Sequence, residues 1–283
     1  MSIAAVETEN IDYGHCSYGA SRLTFRGPPA SLDRPYVAVI GGSETFGRFV
    51  RRPFPTLLAD QTGMNVVNLG CMNAGLTAFS EDETVRKIAS GAAVTVLQVP
   101  GAENMSNRYY MVHPRRNDRF LSASDKMTRA FPDVDFTEFH FTRHMLRSLL
   151  ASEPRAFEAL REELRTAWEH RMRGFLRAIQ SPVLLLWMSE RGPEETSAAV
   201  DHSAPLFVDG KLVRRVASDA LGTIVATPGP EEARKLELMT YMDHDRHAAE
   251  ALPGPAFHAR TAEIVADALR PILAPEHEKR RAS

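Results

Sequence analysis

A serine and a histidine, far apart in the chain, stand where a hydroxyl nucleophile and its base would be useful. Ser43 follows the apolar, β-branched run Tyr36-Val37-Ala38-Val39-Ile40 and the glycine pair Gly41-Gly42, and Glu44-Thr45-Phe46-Gly47 after it reads as the start of a helix. His258 sits in Pro253-Gly254-Pro255-Ala256-Phe257-His258-Ala259-Arg260, a turn-forming stretch followed by the helical spacing of Ile264, Val265, Ala268, Leu269 and Ile272. A serine hydroxyl is a weak nucleophile until a base takes its proton, and the oxyanion it generates needs fixed donors. His258 is the candidate base. The candidate donors are the Ser43 N–H, an N–H from the loop Gly70 to Gly75, and the side-chain amide of Asn104. Each donor of this kind is worth about 10²–10³ in rate.

These residues need a scaffold that brings several loops to one edge. Five short apolar runs bounded by Gly or Pro supply it: Tyr36 to Ile40, Asn65 to Leu69, Ala93 to Val99, Val183 to Trp187 and Gly222 to Ala226. Their near-continuous apolar character fits strands covered on both faces, and they alternate with helix-like segments. Pro53 and Pro55 start a helix that Gly63 closes, and Glu81 to Ala89 reads as the next. The expectation is an α/β three-layer sandwich around a central, mostly parallel sheet, flavodoxin-like in kind. In such sheets ligands gather at the carboxyl ends of the strands, which is where Ser43 and Asn104 fall. Strand order is not readable from the sequence.

The interval from Met105 to Gln180 is too long for an ordinary crossover and is read as a helical insertion. Residues 155–179 carry Phe157, Leu160, Leu164, Trp168, Met172, Phe175 and Leu176 at helical spacing, as core packing. Asn107 to Phe120 instead gathers Arg108, Arg115, Arg116, Arg119, His113, Tyr109 and Tyr110. Guanidinium forks bind oxyanions bidentately, so Arg108, Arg115 and Arg116 are candidate substrate-binding residues for an anionic group. The alternative is that these arginines pair with Asp133, Asp135 and Glu138. Residues 1–34 read as an irregular arm packed on the core, 35–274 as a single domain with its insertion at about 105–180, and 275–283 as a charged tail.

Composition narrows the function classes. The 283 residues carry 34 Lys and Arg against 36 Asp and Glu, a net charge of −2, which gives no reason to invoke nucleic acid. No run approaches the ~20 apolar residues of a membrane span, and the first ten residues lack a signal-peptide pattern, so a cytoplasmic location is expected. Two cysteines make no disulfide framework. Asp243 and His247, and likewise His140 and His144, share an i, i+4 relation. Without a third ligand the first pair reads as an exposed turn and the second as a core-packed helix, and neither metal nor cofactor is expected.

Taken in order, Gly41-Gly42-Ser43, Asn68-Leu69-Gly70 through Gly75, Gly101-Ala102-Glu103-Asn104 and His258 resemble the SGNH, or GDSL-like, hydrolase superfamily. That superfamily carries Ser after the first strand, Gly after the second, Asn after the third and His before the last helix. The resemblance covers roughly residues 36–104 and 183–273. The chain as a whole also resembles an uncharacterised bacterial family, which implies no activity. The SGNH resemblance implies a catalytic Ser43 and His258, with Asn104 and either Gly70 or Gly75 at the oxyanion. It also implies a hydrolase or acyltransferase acting on an ester, such as an O-acyl carbohydrate or a lipid-derived molecule. The departures are Gly42 where the family has Asp, Glu103-Asn104 where it has Asn-Asp, and Pro255 where an Asp precedes the His by three. A catalytically silent binding protein is therefore an alternative. So is a transferase binding a nucleotide or sulfate ester, although the lysine of a phosphate-binding loop is missing.

Overall fold

The computed structural model describes residues 11–195, 199–200, 205–232, 236 and 238–281, with side chains as far as 274. The start of the expected arm, 1–10, and the side chains of the expected tail lie outside the described residues. The first strand, β1 (Tyr36–Gly41), is buried along its whole length and runs into the single turn α1 (Ser43–Phe46), closed by Gly47 at φ +75°. Then follow α2 (Phe54–Thr62), β2 (Asn65–Gly70), α3 (Leu76–Ser80), α4 (Glu83–Gly91) and β3 (Val94–Gln98). Asp82 caps α4, its side chain accepting the Val85 N–H, so this helix begins slightly later than the sequence suggests.

The insertion is not purely helical. It opens with an antiparallel hairpin of β4 (Tyr110–Val112) and β5 (Phe120–Ala123), then continues through α5 (Asp125–Ala130), α6 (Thr142–Ser152) and the long α7 (Pro154–Ala178). The hairpin has a physical anchor in Tyr110, fully buried, whose hydroxyl donates to the Glu103 carbonyl at 2.6 Å. After β6 (Val183–Met188) come α8 (Gly210–Val216), β7 (Gly222–Ala226), α9 (Arg246–Glu250) and α10 (Pro255–Arg281). The backbone of α10 continues through what the sequence suggests is a separate tail. His140 and His144 do not share a helix: both are exposed, and His140 precedes α6.

The five long strands form one parallel sheet in the order β2-β1-β3-β6-β7. One face packs Val37, Val39, Val96 and Leu186 against Phe54 and Leu58 of α2 and Val265 and Leu269 of α10. The other packs Ala38, Ile40, Leu97 and Leu185 against α4, α7, the insertion and the arm residues Leu23 and Phe25. On the central strands β1, β3 and β6 both faces are covered, which is why they read as near-continuous apolar runs, whereas the edge strand β7 leaves Thr223 and Val225 exposed. The connection from β1 goes to one side, to β2, and the next returns across β1 to β3. The crevice at the carboxyl ends of β1 and β3 is therefore the switch point of the sheet.

Candidate active site

Ser43 emerges at this crevice because the backbone around it is tightly packed. A Cβ on Gly41 would lie 2.1 Å from Thr45 Oγ1 and 2.4 Å from Gln98 Oε1, so only glycine lets the end of β1 approach β3. Thr45 Oγ1 bonds Gln98 Oε1 at 2.6 Å, and Gln98 Nε2 donates to Glu44 Oε2 at 3.1 Å, tying the serine turn to the next strand. From the arm, the buried Arg26 donates to the carbonyls of Phe46, Gly47, Val50 and Arg51 and fixes the exit from α1. Trp168 of α7 donates to the Pro100 carbonyl at 2.9 Å, holding the loop after β3.

Ser43, Gly75 and Asn104 line one cavity of about 290 Å³. Within it the backbone N–H of Asn73 donates to Ser43 Oγ at 3.1 Å. Asn73 has φ +60°, a left-handed conformation. The expected glycine donors are engaged elsewhere: Gly75 N–H donates to Asn117 Oδ1 at 2.9 Å, and Gly70 N–H to Asn68 Oδ1 at 2.8 Å. What position 75 requires is steric room, because a Cβ there would lie 2.2 Å from the Asn104 carbonyl oxygen. Asn104 is oriented by Thr142, whose hydroxyl donates to its Oδ1 at 2.7 Å.

Sequence reasoning gave no role to the carboxylates of this cavity, Glu44, Glu103 and Asp118. Glu103 is 1% exposed; its Oε1 accepts from Arg143 Nε at 3.1 Å and Nη2 at 2.8 Å, while its Oε2 is buried with no hydrogen-bond partner. Asp118 Oδ1 is likewise buried and unpartnered. Burial pushes the Asp118 carboxyl above the ordinary aspartate range, against the opposing charges of Arg116, Arg119 and His113. Asp118 stands inside the Asn107 to Phe120 stretch, where the arginines drew attention away from it. Over the cavity lies the segment before α10: Arg48 pairs with Asp245 at 3.0 Å, and Ala248, Ala251 and Leu252 complete the wall.

His258 does not join them. It is 1% exposed on the first turn of α10, its Nδ1 accepting the Phe54 N–H at 3.1 Å and its ring stacked 6.2 Å from that of Phe54. Nε2 is buried with no partner. Burial, aided by the charge of Arg26, pushes its pKa down to about 3, so the imidazole is neutral and its one lone pair is already occupied. Among the described residues no histidine lines the Ser43 cavity. The expected Ser43 and His258 dyad is not assembled here, and the reason is helical phase: 258 lies on the same stripe as Ala262, Val265 and Leu269, all buried against the sheet.

The three candidate arginines separate. Arg108 binds Glu163 of α7 through Nε at 2.7 Å and a second contact from Nη2, so it is held by a residue outside the set expected to pair with it. Arg115 and Arg116 line a second cavity, which meets the first at Asn73. His244 and His247 are exposed, and among the described residues no group of three or more His, Cys, Asp or Glu could hold a metal. No described helix is long and apolar enough to cross a membrane.

The fold is thus an α/β protein with a five-stranded parallel sheet flanked by helices, and its candidate site lies at the switch point. The chain belongs to the family described as "Domain of unknown function (DUF6473)", whose model matches residues 1–273. No curated protein matches it. Among solved structures it is similar to the lipase Lip_vut3 from a goat rumen metagenome, at 12% identity and TM-score 0.44, covering 82% of this chain and 96% of that one. It is also similar to two catalytic mutants of Axe2, an acetylxylan esterase from Geobacillus stearothermophilus. These have 12% and 14% identity and TM-scores of 0.42 and 0.36, each covering 84% of this chain and 94% of the other.

Proposed function

We propose that the chain is an SGNH-type ester hydrolase or acyltransferase with Ser43 as its nucleophile. The observation that carries this reading is the Ser43 hydroxyl at the switch point of the sheet, facing a cavity with Asn104 and receiving the Asn73 N–H at 3.1 Å. Ser43 Oγ attacks the acyl carbon while its proton passes to a base. The bond to the leaving alcohol breaks, and the alcohol takes that proton. Water, or an acceptor alcohol, then repeats the steps on the acyl-serine and releases the product. The donors for the oxyanion are the Asn104 amide, whose Nδ2 reaches Glu103 Oε1 at only 3.5 Å, and the Asn73 N–H, released from Ser43 Oγ as that oxygen bonds the acyl carbon.

The base in this reading is Asp118 rather than His258. A carboxylate raised by burial is a better proton acceptor than an ordinary one, and it lines the same cavity, whereas Glu103 is neutralised by Arg143. A cavity of about 290 Å³ suits a small acyl group, as on an O-acetylated carbohydrate, better than a long lipid chain. The test is labelling with a fluorophosphonate together with turnover of a model ester. Stoichiometric modification confined to Ser43, and loss of turnover in Ser43→Ala with an unchanged melting temperature, are expected. Unaltered turnover in Ser43→Ala removes the mechanism. A second reading, a silent binding protein, is favoured by the lack of a lining histidine among the described residues, and folded protein that the probe never labels would select it.

A further inference from the structure

The second cavity, of about 560 Å³, is built by three stretches remote in sequence, one of them Cys71 to Asn73 after β2. The arm brings His15 and Arg22, and the turn of the β4–β5 hairpin brings His113, Arg115 and Arg116. Among the described residues no acidic side chain lines it. The guanidinium groups of Arg22, Arg115 and Arg116 make no hydrogen bond or ion pair with any described residue, although each backbone N–H of the latter two donates to His113 Nδ1, at 3.3 and 3.2 Å. Three like charges converging on one concavity repel one another, and a bound anion is what turns that repulsion into attraction.

The shared wall gives the site its meaning. Asn73 lines both cavities, and its N–H is the one that reaches Ser43 Oγ. We propose that the Arg22, Arg115 and Arg116 cavity is a subsite for a phosphate monoester group, so that a substrate anchored there presents its ester to Ser43 across Asn73. A dianion with several acceptor oxygens matches three separate guanidinium forks better than a carboxylate does. The link to the ester rests on the Ser43 reading; the anion site stands without it.

The experiment is isothermal titration of the full chain with inorganic phosphate at low salt, with acetate as the control anion. Binding with a Kd of about 1 mM or tighter is expected, falling as salt is added. Arg22→Ala and Arg115→Ala should each weaken it by about tenfold, the loss of one charge-assisted contact at an accessible site. Acetate should bind more weakly, and Ser43→Ala should bind phosphate as the parent does. No phosphate binding by folded protein, acetate binding as tightly as phosphate, or binding that survives combined replacement of the three arginines would overturn the proposal. Fluorophosphonate labelling of the same samples keeps the two readings apart: a labelled Ser43 without phosphate binding removes only the anion subsite, and phosphate binding with an inert Ser43 removes only the nucleophile.

Discussion

His258→Met separates a buried structural histidine from a catalytic one. The folded protein holds this imidazole neutral, with a pKa of about 3, while the unfolded chain returns it to its ordinary 6.5. Between those values the unfolded state binds a proton that the native state refuses, so stability falls as the pH drops. The contribution is complete above pH 6.5 and lost progressively toward pH 3. At about 1.4 kcal/mol per tenfold change in proton affinity, the loss is roughly 2 kcal/mol at pH 5 and roughly 5 kcal/mol below pH 3. At neutral pH the same substitution has opposing effects. It strands the Phe54 N–H, at about 1–3 kcal/mol, and removes the unpartnered Nε2–H, which recovers part of that.

The informative quantity is therefore the difference in pH slope, not the stability at one pH. Urea unfolding of parent and variant at pH 7.5 and pH 5.0 should show the parent losing roughly 2 kcal/mol more than His258→Met over that interval. Equal losses would mean that the imidazole titrates as if in water, and the buried placement would be refuted. Activity gives an independent reading. If His258 is structural, the folded variant at pH 7.5 retains Ser43 labelling to within a few-fold. A fall of about 10⁴ would instead return the histidine to the role of base.

Three further outcomes follow from the same site. Asp118→Asn should lower kcat by about 10²–10⁴, the range for a lost general base, while raising the melting temperature at neutral pH, since a carboxyl with a raised pKa destabilises the fold once ionised; in the parent the acidic limb of the pH–rate profile should lie above the ordinary aspartate range. Retained turnover would place the base elsewhere. Gly75→Ala should cost about 1–3 kcal/mol in denaturant unfolding and slow Ser43 labelling, because the new methyl collides with the Asn104 backbone rather than with a movable side chain. Arg143→Met should cost about 3 kcal/mol by leaving Glu103 charged and buried, and adding Glu103→Gln should recover most of it in a double-mutant cycle.

The scaffold was legible because burial on both faces makes the central strands β1, β3 and β6 largely apolar. The runs at 36–40, 65–69, 93–99, 183–187 and 222–226 coincide with the five sheet strands to within a residue or two. The β4–β5 hairpin was not legible, since Tyr110–Val112 and Phe120–Ala123 are too short to show alternation and the arginine-rich turn between them reads as a binding cluster. Loop residues were legible by type but not by direction. Gly75 could be named as a loop glycine, yet only coordinates show its N–H turned to Asn117 and the Asn73 N–H turned to Ser43. Asp118 escaped notice for a related reason: an acid among four arginines looks like a counter-charge, whereas its Oδ1 is buried and unpaired.

The histidine carries the larger lesson about inferring chemistry from order along a chain. A residue before the last helix reaches the strand ends only if it lies ahead of the helix or on its outward side. Pro255 is the first residue of α10, so His258 is already inside the helix, one turn before Ala262, and every later residue of that stripe faces the sheet. The apolar periodicity that made α10 recognisable therefore also fixed where position 258 points, and extending it backward by one turn from Ala262 would have placed the imidazole in the core. With that position committed to packing, the proposed proton transfer at Ser43 is assigned to a group that shares its cavity, and Asp118 combines a lining position, an unpartnered oxygen and an affinity for protons raised by burial.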